Sequence, residues 1–185
     1  MNDSSLELLL GILIACLLMS AFFSGSETGM MSLNRYRLKH LRKNQRSARI
    51  ASRLLERPDR LLGLILIGNN LVNILASAIG TVIALRIWGD AGIAIATGVL
   101  TVLVLIFGEV TPKTLAALHP ERIAFPAAYL LNALMYLLYP LVWCINQITN
   151  ALLKLLGVNP DKRPEDALSS EEVRTIVGES GPMIP

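Results

Sequence analysis

Soft metal-binding chemistry is nearly absent from this chain. Its 185 residues include two cysteines and two histidines. Cys16 and Cys144 stand in apolar runs with no CxxC or histidine spacing near them, so neither a disulfide nor a zinc site is implied. His40 and His119 have no motif that would make either one a base for Ser24 or Ser26, which leaves a serine-protease reading without support. Charge is also sparse, at 17% of residues, against about 25% in ordinary soluble domains. What the chain has instead is long apolar runs, with 53% hydrophobic residues and a mean hydropathy of +0.53. That composition describes an all-α membrane protein about the size of one membrane domain.

A net charge of +3 would ordinarily raise nucleic acid as a partner. The distribution argues against it, because ten of the seventeen Lys and Arg lie between Arg35 and Arg60, flanked by apolar runs. Basic residues placed that way are a topology signal, and the partner they imply is the lipid bilayer. The first apolar run carries Asp3 and Glu7 where a signal peptide would be basic, so it reads as a true span.

Three spans follow. Leu6–Phe23 is the first, and it runs into Ser24-Gly25-Ser26-Glu27-Thr28-Gly29. Leu61–Leu85 is the second, twenty-five residues without a charge. Ala91–Gly108 is the third, ending in Gly108-Glu109-Val110-Thr111-Pro112-Lys113. The basic segment between the first two spans has the spacing of short cytosolic helices. The positive-inside rule puts that segment in the cytosol, with the amino terminus and the 86–90 turn outside and the carboxy terminus cytosolic. In a bacterial setting this is a multi-pass protein of the cell (inner) membrane.

Ile123–Leu153 is apolar for thirty-one residues yet does not read as a fourth span. On a helix, Tyr129, Asn132, Tyr136, Tyr139, Trp143, Asn146 and Asn150 share one direction, with leucines and isoleucines opposite. A polar-aromatic stripe against an aliphatic face suits a belt lying along the membrane surface and bent at Pro140. The reading is thus a membrane domain over residues 1–158 and a polar linker over 159–185, in which Ser169–Glu172 starts a helix.

The chemistry lies in the polar groups buried in these runs. Asn69, Asn70 and Asn73 sit within five residues in the second span, and carboxamides are costly there. Ser20 and Ser24 share a face of the first helix if it continues toward Glu27. Glu109 is a carboxylate at the end of an apolar span, where it must be paired, protonated or metal-bound. Pro112 has no N–H for the Gly108 carbonyl, which frees that oxygen. Ser20, Ser24, Asn70, Gly108 and Glu109 therefore form an all-oxygen set suited to Mg²⁺, Ca²⁺ or Na⁺. Ser26, Glu27, Asn69, Asn73, Ser77, Thr111, Pro112 and Lys113 are candidates for a second layer or a pathway. The competing reading is helix packing, with serines bonded back to helix carbonyls and Glu109 paired to Lys113 at i+4.

FSGSETGMMSLNRYRLKHL, IGNNLVNILAS and FGEVTPKTLA, in that order, resemble the transmembrane domain of the CNNM/CorC (cyclin M, haemolysin-C-like) magnesium transporters. The resemblance covers residues 5 to 180. It implies a homodimer of three-span subunits with a juxtamembrane belt helix. It also implies Mg²⁺ export coupled to Na⁺ entry, with the ion on Ser20, Ser24, Asn70, Gly108 and Glu109 and no enzymatic activity. Family members add a cytosolic CBS-domain pair that binds nucleotide, and this chain stops at Pro185 short of one. The alternative is a membrane anchor and dimerisation platform for such a cytosolic domain, without transport of its own.

Overall fold

A computed structural model describes residues 3–157. Among them every regular element is a helix. The linker expected over 159–185, with its helix start at Ser169–Glu172, lies outside the described residues. The chain divides into two compact units, Met1–Trp143 and Cys144–Pro185. The first holds α1 to α7 and the polar residues discussed below.

Helix α1 runs from Asp3 to Met31 without a break. The sequence reading ended this span at Phe23, and that is corrected here. Two glycines one turn apart would weaken an isolated helix. In this fold they are its contact face. A Cβ on Gly25 would sit 3.5 Å from the Pro112 Cβ, and one on Gly29 would sit 3.4 Å from the Ala124 backbone nitrogen. Small residues let backbones approach where hydrocarbon gives no driving force, so packing holds the helix through the polar stretch.

Helices α2 (Arg35–Leu41) and α3 (Arg46–Leu54) fill the basic segment. Asn34 caps α2, its side-chain oxygen accepting from the Tyr36 and Arg37 backbone N–H groups at 3.0 and 3.1 Å. That satisfies two donors of the first turn. Ala48, Ala51 and Leu54 form the buried stripe of α3, which packs against α7.

Helix α4 (Pro58–Trp88) opens with a proline at its first turn and buries Leu61, Ile65, Gly68, Ala76, Ile79 and Ile83 along one stripe. It crosses α1 where Phe23 lies over Gly68. Beyond a short 3₁₀ turn comes α5 (Gly92–Leu103), then a π-helical segment (Val104–Val110), then α6 (Thr111–Leu118). These three pieces form one stretch, Gly92–Leu118, so the third span does not end at Gly108 as the sequence suggested.

Three helices are long and apolar enough to cross a membrane: Ser5–Met31, Pro58–Trp88 and Gly92–Leu118. At about 1.5 Å per residue each exceeds the ~30 Å hydrocarbon thickness. Leu8, Leu18, Leu71 and Ile74 stay more than 60% exposed, as expected of side chains that meet lipid. The chain is an all-α, multi-pass membrane protein.

Helix α7 (Pro120–Leu137) buries Ala124, Ala127, Ala128 and Leu131 against α1 and α3, and α8 spans Tyr139–Leu155. The break falls at Leu138, two residues before the expected bend at Pro140. Proline is well tolerated in a helix's first turn, and here it begins a helix. Arg37 pairs with Glu121 at 2.6 Å, tying the start of α2 to α7.

Candidate functional site

The oxygen-bearing residues of α1 are among its most buried. Ser20, Ser24 and Ser26 are the buried polar residues of the described chain, with at most 1% exposure. Ser20 Oγ donates to Asn69 Oδ1 at 3.1 Å. It also faces the third span, since a Cβ on Gly108 would lie 2.8 Å from Ser20 Oγ. Only a glycine lets the α1 and π-segment backbones meet there. Ser20 therefore joins all three spans at one level.

The other two serines differ. Ser24 Oγ and Ser26 Oγ are buried without a hydrogen-bond partner, and so is Asn73 Oδ1. An orphan hydroxyl in a low-dielectric interior costs about 1–3 kcal/mol. Ser24 lies one turn from Ser20 on the same face of α1.

The π segment supplies carbonyls. The Thr111 N–H bonds to the Ile106 carbonyl, one residue further back than an α-helix would reach. Phe107 consequently loses its α-helical donor, and its π-helical donor would be Pro112, which has no N–H. The Gly108 carbonyl loses its α-helical donor to the same proline. The register slip thus leaves Phe107 without either donor, while the Gly108 oxygen named from sequence loses its α-helical donor and keeps the Lys113 N–H as its π-helical one. Single π turns of this kind recur at functional sites.

Glu109 is half-buried and makes no hydrogen bond or ion pair among the described residues. Lys113 does not close back on it. Instead Lys113 Nζ reaches Glu27 Oε2 at 3.6 Å, linking the third span to α1. The i+4 pair offered as a structural explanation for Glu109 does not form. Thr111 is exposed and Pro112 packs against Gly25. No cluster of three His, Cys, Asp or Glu occurs among the described residues. A cation held here would rest on hydroxyl, amide and carbonyl oxygens around one carboxylate.

The structure brings Ser20, Asn69 and Gly108 together, with Ser24 one turn along and Glu109 adjoining. Asn70 is exposed, with Asn69 in the contact where sequence reasoning had placed Asn70. The signal was available. Taking Leu61, Ile65, Gly68, Ala76 and Ile83 as the core stripe of α4 sets Asn69 and Asn73 at its edge and Asn70 opposite. Ser77 donates to the Asn73 carbonyl at 2.9 Å, an ordinary back-bond. The π segment had no sequence signal beyond Pro112.

Comparison with known proteins agrees with this architecture. A family model described as the cyclin M transmembrane N-terminal domain matches residues 11–182. The UPF0053 inner membrane protein YfjD of Escherichia coli is 59% identical over 162 residues, 87% of this chain and 38% of that protein. A UPF0053 protein of Haemophilus influenzae is 50% identical across 100% of this chain and 44% of its own length. A more distant Haemophilus relative, 29% identical over 89% of this chain and 41% of its own, is named a polyamine export protein. The chain spans about two fifths of the length of these relatives. It belongs to the cyclin M transmembrane-domain family.

Proposed function

We propose that this chain carries Mg²⁺ across the membrane through the oxygen cluster between α1, α4 and the π segment. The observation that supports this most strongly is a pair of unmet groups. Ser24 Oγ is fully buried without a partner, and on the adjoining segment Glu109 stands unpaired. Helix packing alone requires neither. Mg²⁺ prefers six oxygens at roughly 2.0–2.1 Å. Ser20, Ser24, the Gly108 carbonyl and Glu109 are the residues that would hold it, with Asn69 or Asn70 completing the amide contribution. Ser26, Glu27, Asn69, Asn73, Ser77, Thr111, Pro112 and Lys113 are the candidates for a second layer or a pathway.

A thermal-shift series with Mg²⁺, Ca²⁺, Mn²⁺, Na⁺ and spermidine tests this reading. Stabilisation by Mg²⁺ at lower concentration than by the other ions is expected. Stabilisation by spermidine alone would transfer the site to the cargo named for the polyamine-exporting relative. The anchor-and-platform reading is favoured by one contact, the Ser20–Asn69 hydrogen bond, which is interhelical glue. No response to any of these cations would support it.

Export driven by Na⁺ entry, a homodimeric assembly and nucleotide binding through cytosolic domains are carried by the family alone. A twofold partner would also wall off a cavity and cover the Gly and Ala surface of the third span. Light scattering in detergent should give a dimer, and a monodisperse monomer that still binds Mg²⁺ would contradict this.

The orientation proposed is amino terminus outside, α2 and α3 cytosolic, α7–α8 along the surface as a belt, in an inner-membrane setting. Among the ten basic residues of 35–60, only Arg37 forms an ion pair among the described residues. Moving them across a bilayer would be costly. In a Cys16→Ala, Cys144→Ala background, an impermeant thiol reagent outside should label Asp3→Cys and Asp90→Cys. It should not reach Gln45→Cys or Glu165→Cys. Labelling of Gln45→Cys would invert the topology, and labelling of Glu165→Cys would make α7–α8 a span.

A further inference from the structure

A cleft of ≈ 200 Å³ opens between α4 and α5, lined by Asn73, Ser77, Thr81, Thr97 and Thr101 among apolar side chains. Its inner rim reaches Val104 and Leu105 of the π segment. Asn73 is one turn along α4 from Asn69, and Thr101 is two turns along from Gly108. The cleft therefore begins about a turn away from the Ser20 contact. It extends toward Trp88, the end of α4 opposite the basic helices.

Its hydrogen-bonding character is one-sided. Ser77 donates to the Asn73 carbonyl and Thr81 to the Ser77 carbonyl, each at 2.9 Å. Thr97 donates to Ile93 at 2.8 Å and Thr101 to Thr97 at 2.7 Å. All four hydroxyl hydrogens are committed within their own helices, so these oxygens face outward only as acceptors. Asn73, at the inner end, does not belong to this acceptor set, because its Oδ1 is buried away from the cleft and its amide also carries N–H donors. No charged side chain lines the cleft. A neutral acceptor wall cannot replace the shell of a bare divalent ion, but it complements a particle whose surface is all donors. A hydrated divalent cation is such a particle, because its waters turn their hydrogens outward. At about 30 Å³ per water the cleft has room for several waters, so an ion could enter it without shedding its shell.

We propose that this cleft is a vestibule that holds the hydrated divalent cation by its outward-facing water hydrogens, on the Trp88 side of the Ser20–Gly108–Glu109 cluster. It rests on the reading of that cluster as a cation site. There the ion exchanges water for protein oxygens, and in the cleft it keeps its shell. Thr81, Thr97 and Thr101, which carry no motif in the sequence, become pathway residues.

The test uses the full chain and hexaamminecobalt(III), an inert ion that presents donors only and cannot shed its ligands. The ammine should stabilise the protein thermally and inhibit Mg²⁺ flux in proteoliposomes. Thr97→Val and Thr101→Val keep shape and remove an acceptor, and each should weaken the ammine's apparent affinity about tenfold, the scale of one hydrogen bond to a charged group. Thr97→Ser should restore it. Glu109→Gln should leave the ammine's thermal stabilisation intact while removing that of Mg²⁺. An ammine effect that is absent, or unchanged in both valine variants, overturns the vestibule even if Mg²⁺ still binds through Glu109. An ammine effect that depends on the threonines, alongside Mg²⁺ stabilisation indifferent to Glu109, keeps the vestibule and rejects the inner site.

Discussion

Glu109→Gln is expected to abolish stabilisation by Mg²⁺ and its flux in proteoliposomes while the domain stays folded. The variant keeps the shape of the side chain and removes its negative charge. Losing even an outer partner of a metal ligand costs about 10–100-fold in affinity, so losing a charged ligand should cost at least about a hundredfold. Folding should be spared because Glu109 makes no ion pair or hydrogen bond among the described residues, and a neutral amide is cheaper to bury than a carboxylate.

Two companions sharpen that result. Gly108→Ala would place a Cβ 2.8 Å from Ser20 Oγ, so it should weaken Mg²⁺ binding by moving Ser20. Lys113→Ala removes a part-exposed pair with Glu27, which should cost no more than about 1 kcal/mol and leave Mg²⁺ stabilisation in place. Normal Mg²⁺ stabilisation of Glu109→Gln would put the cation site elsewhere.

Gly68→Ala should give the largest loss of stability among single-methyl changes. A Cβ at this position would lie 2.4, 2.6 and 2.9 Å from three atoms of the Phe23 ring. Phe23 is 3% exposed and edge-stacked with Phe22 at 5.4 Å between ring centroids, so the ring has nowhere free to swing. Overpacking of this kind costs about 1–3 kcal/mol. The loss also separates α1 from α4 and with them the Ser20–Asn69 bond, so Mg²⁺ stabilisation should fall too. Phe23→Leu alone leaves a void, but combined with Gly68→Ala it should recover part of the stability. A double-mutant cycle reads that coupling directly. A Gly68→Ala protein with an unchanged unfolding temperature would mean that α1 and α4 do not meet at this pair.

Much of the architecture was legible from local chemistry. Three long apolar runs, two without a charge and one with Glu7 alone, demand helices, because hydrocarbon leaves every backbone polar group to be satisfied within its own segment. Crowded carboxamides and a proline four residues past a glycine lie on the segments that meet α1 at Ser20. Pro58 marked the start of α4, since a proline is tolerated at a helix's first turn. These are consequences of each residue's own hydrogen-bonding capacity, and they need no knowledge of the neighbours.

What escaped depends on neighbours. Gly25 and Gly29 look like a helix end until α6 and α7 are set against them. Asn69 and Asn70 are indistinguishable until Phe23 on Gly68 fixes which side of α4 meets α1. Lys113 finds Glu109 by sequence spacing and Glu27 by space. The π register of Val104–Val110 depends on where Gly108 must stand against Ser20, a demand that arises from another helix. Composition and spacing determined that this chain crosses a membrane and buries oxygens. Which oxygens meet was decided by helix rotation, because a single residue's step of 100° exchanges an interhelical contact for an exposed side chain.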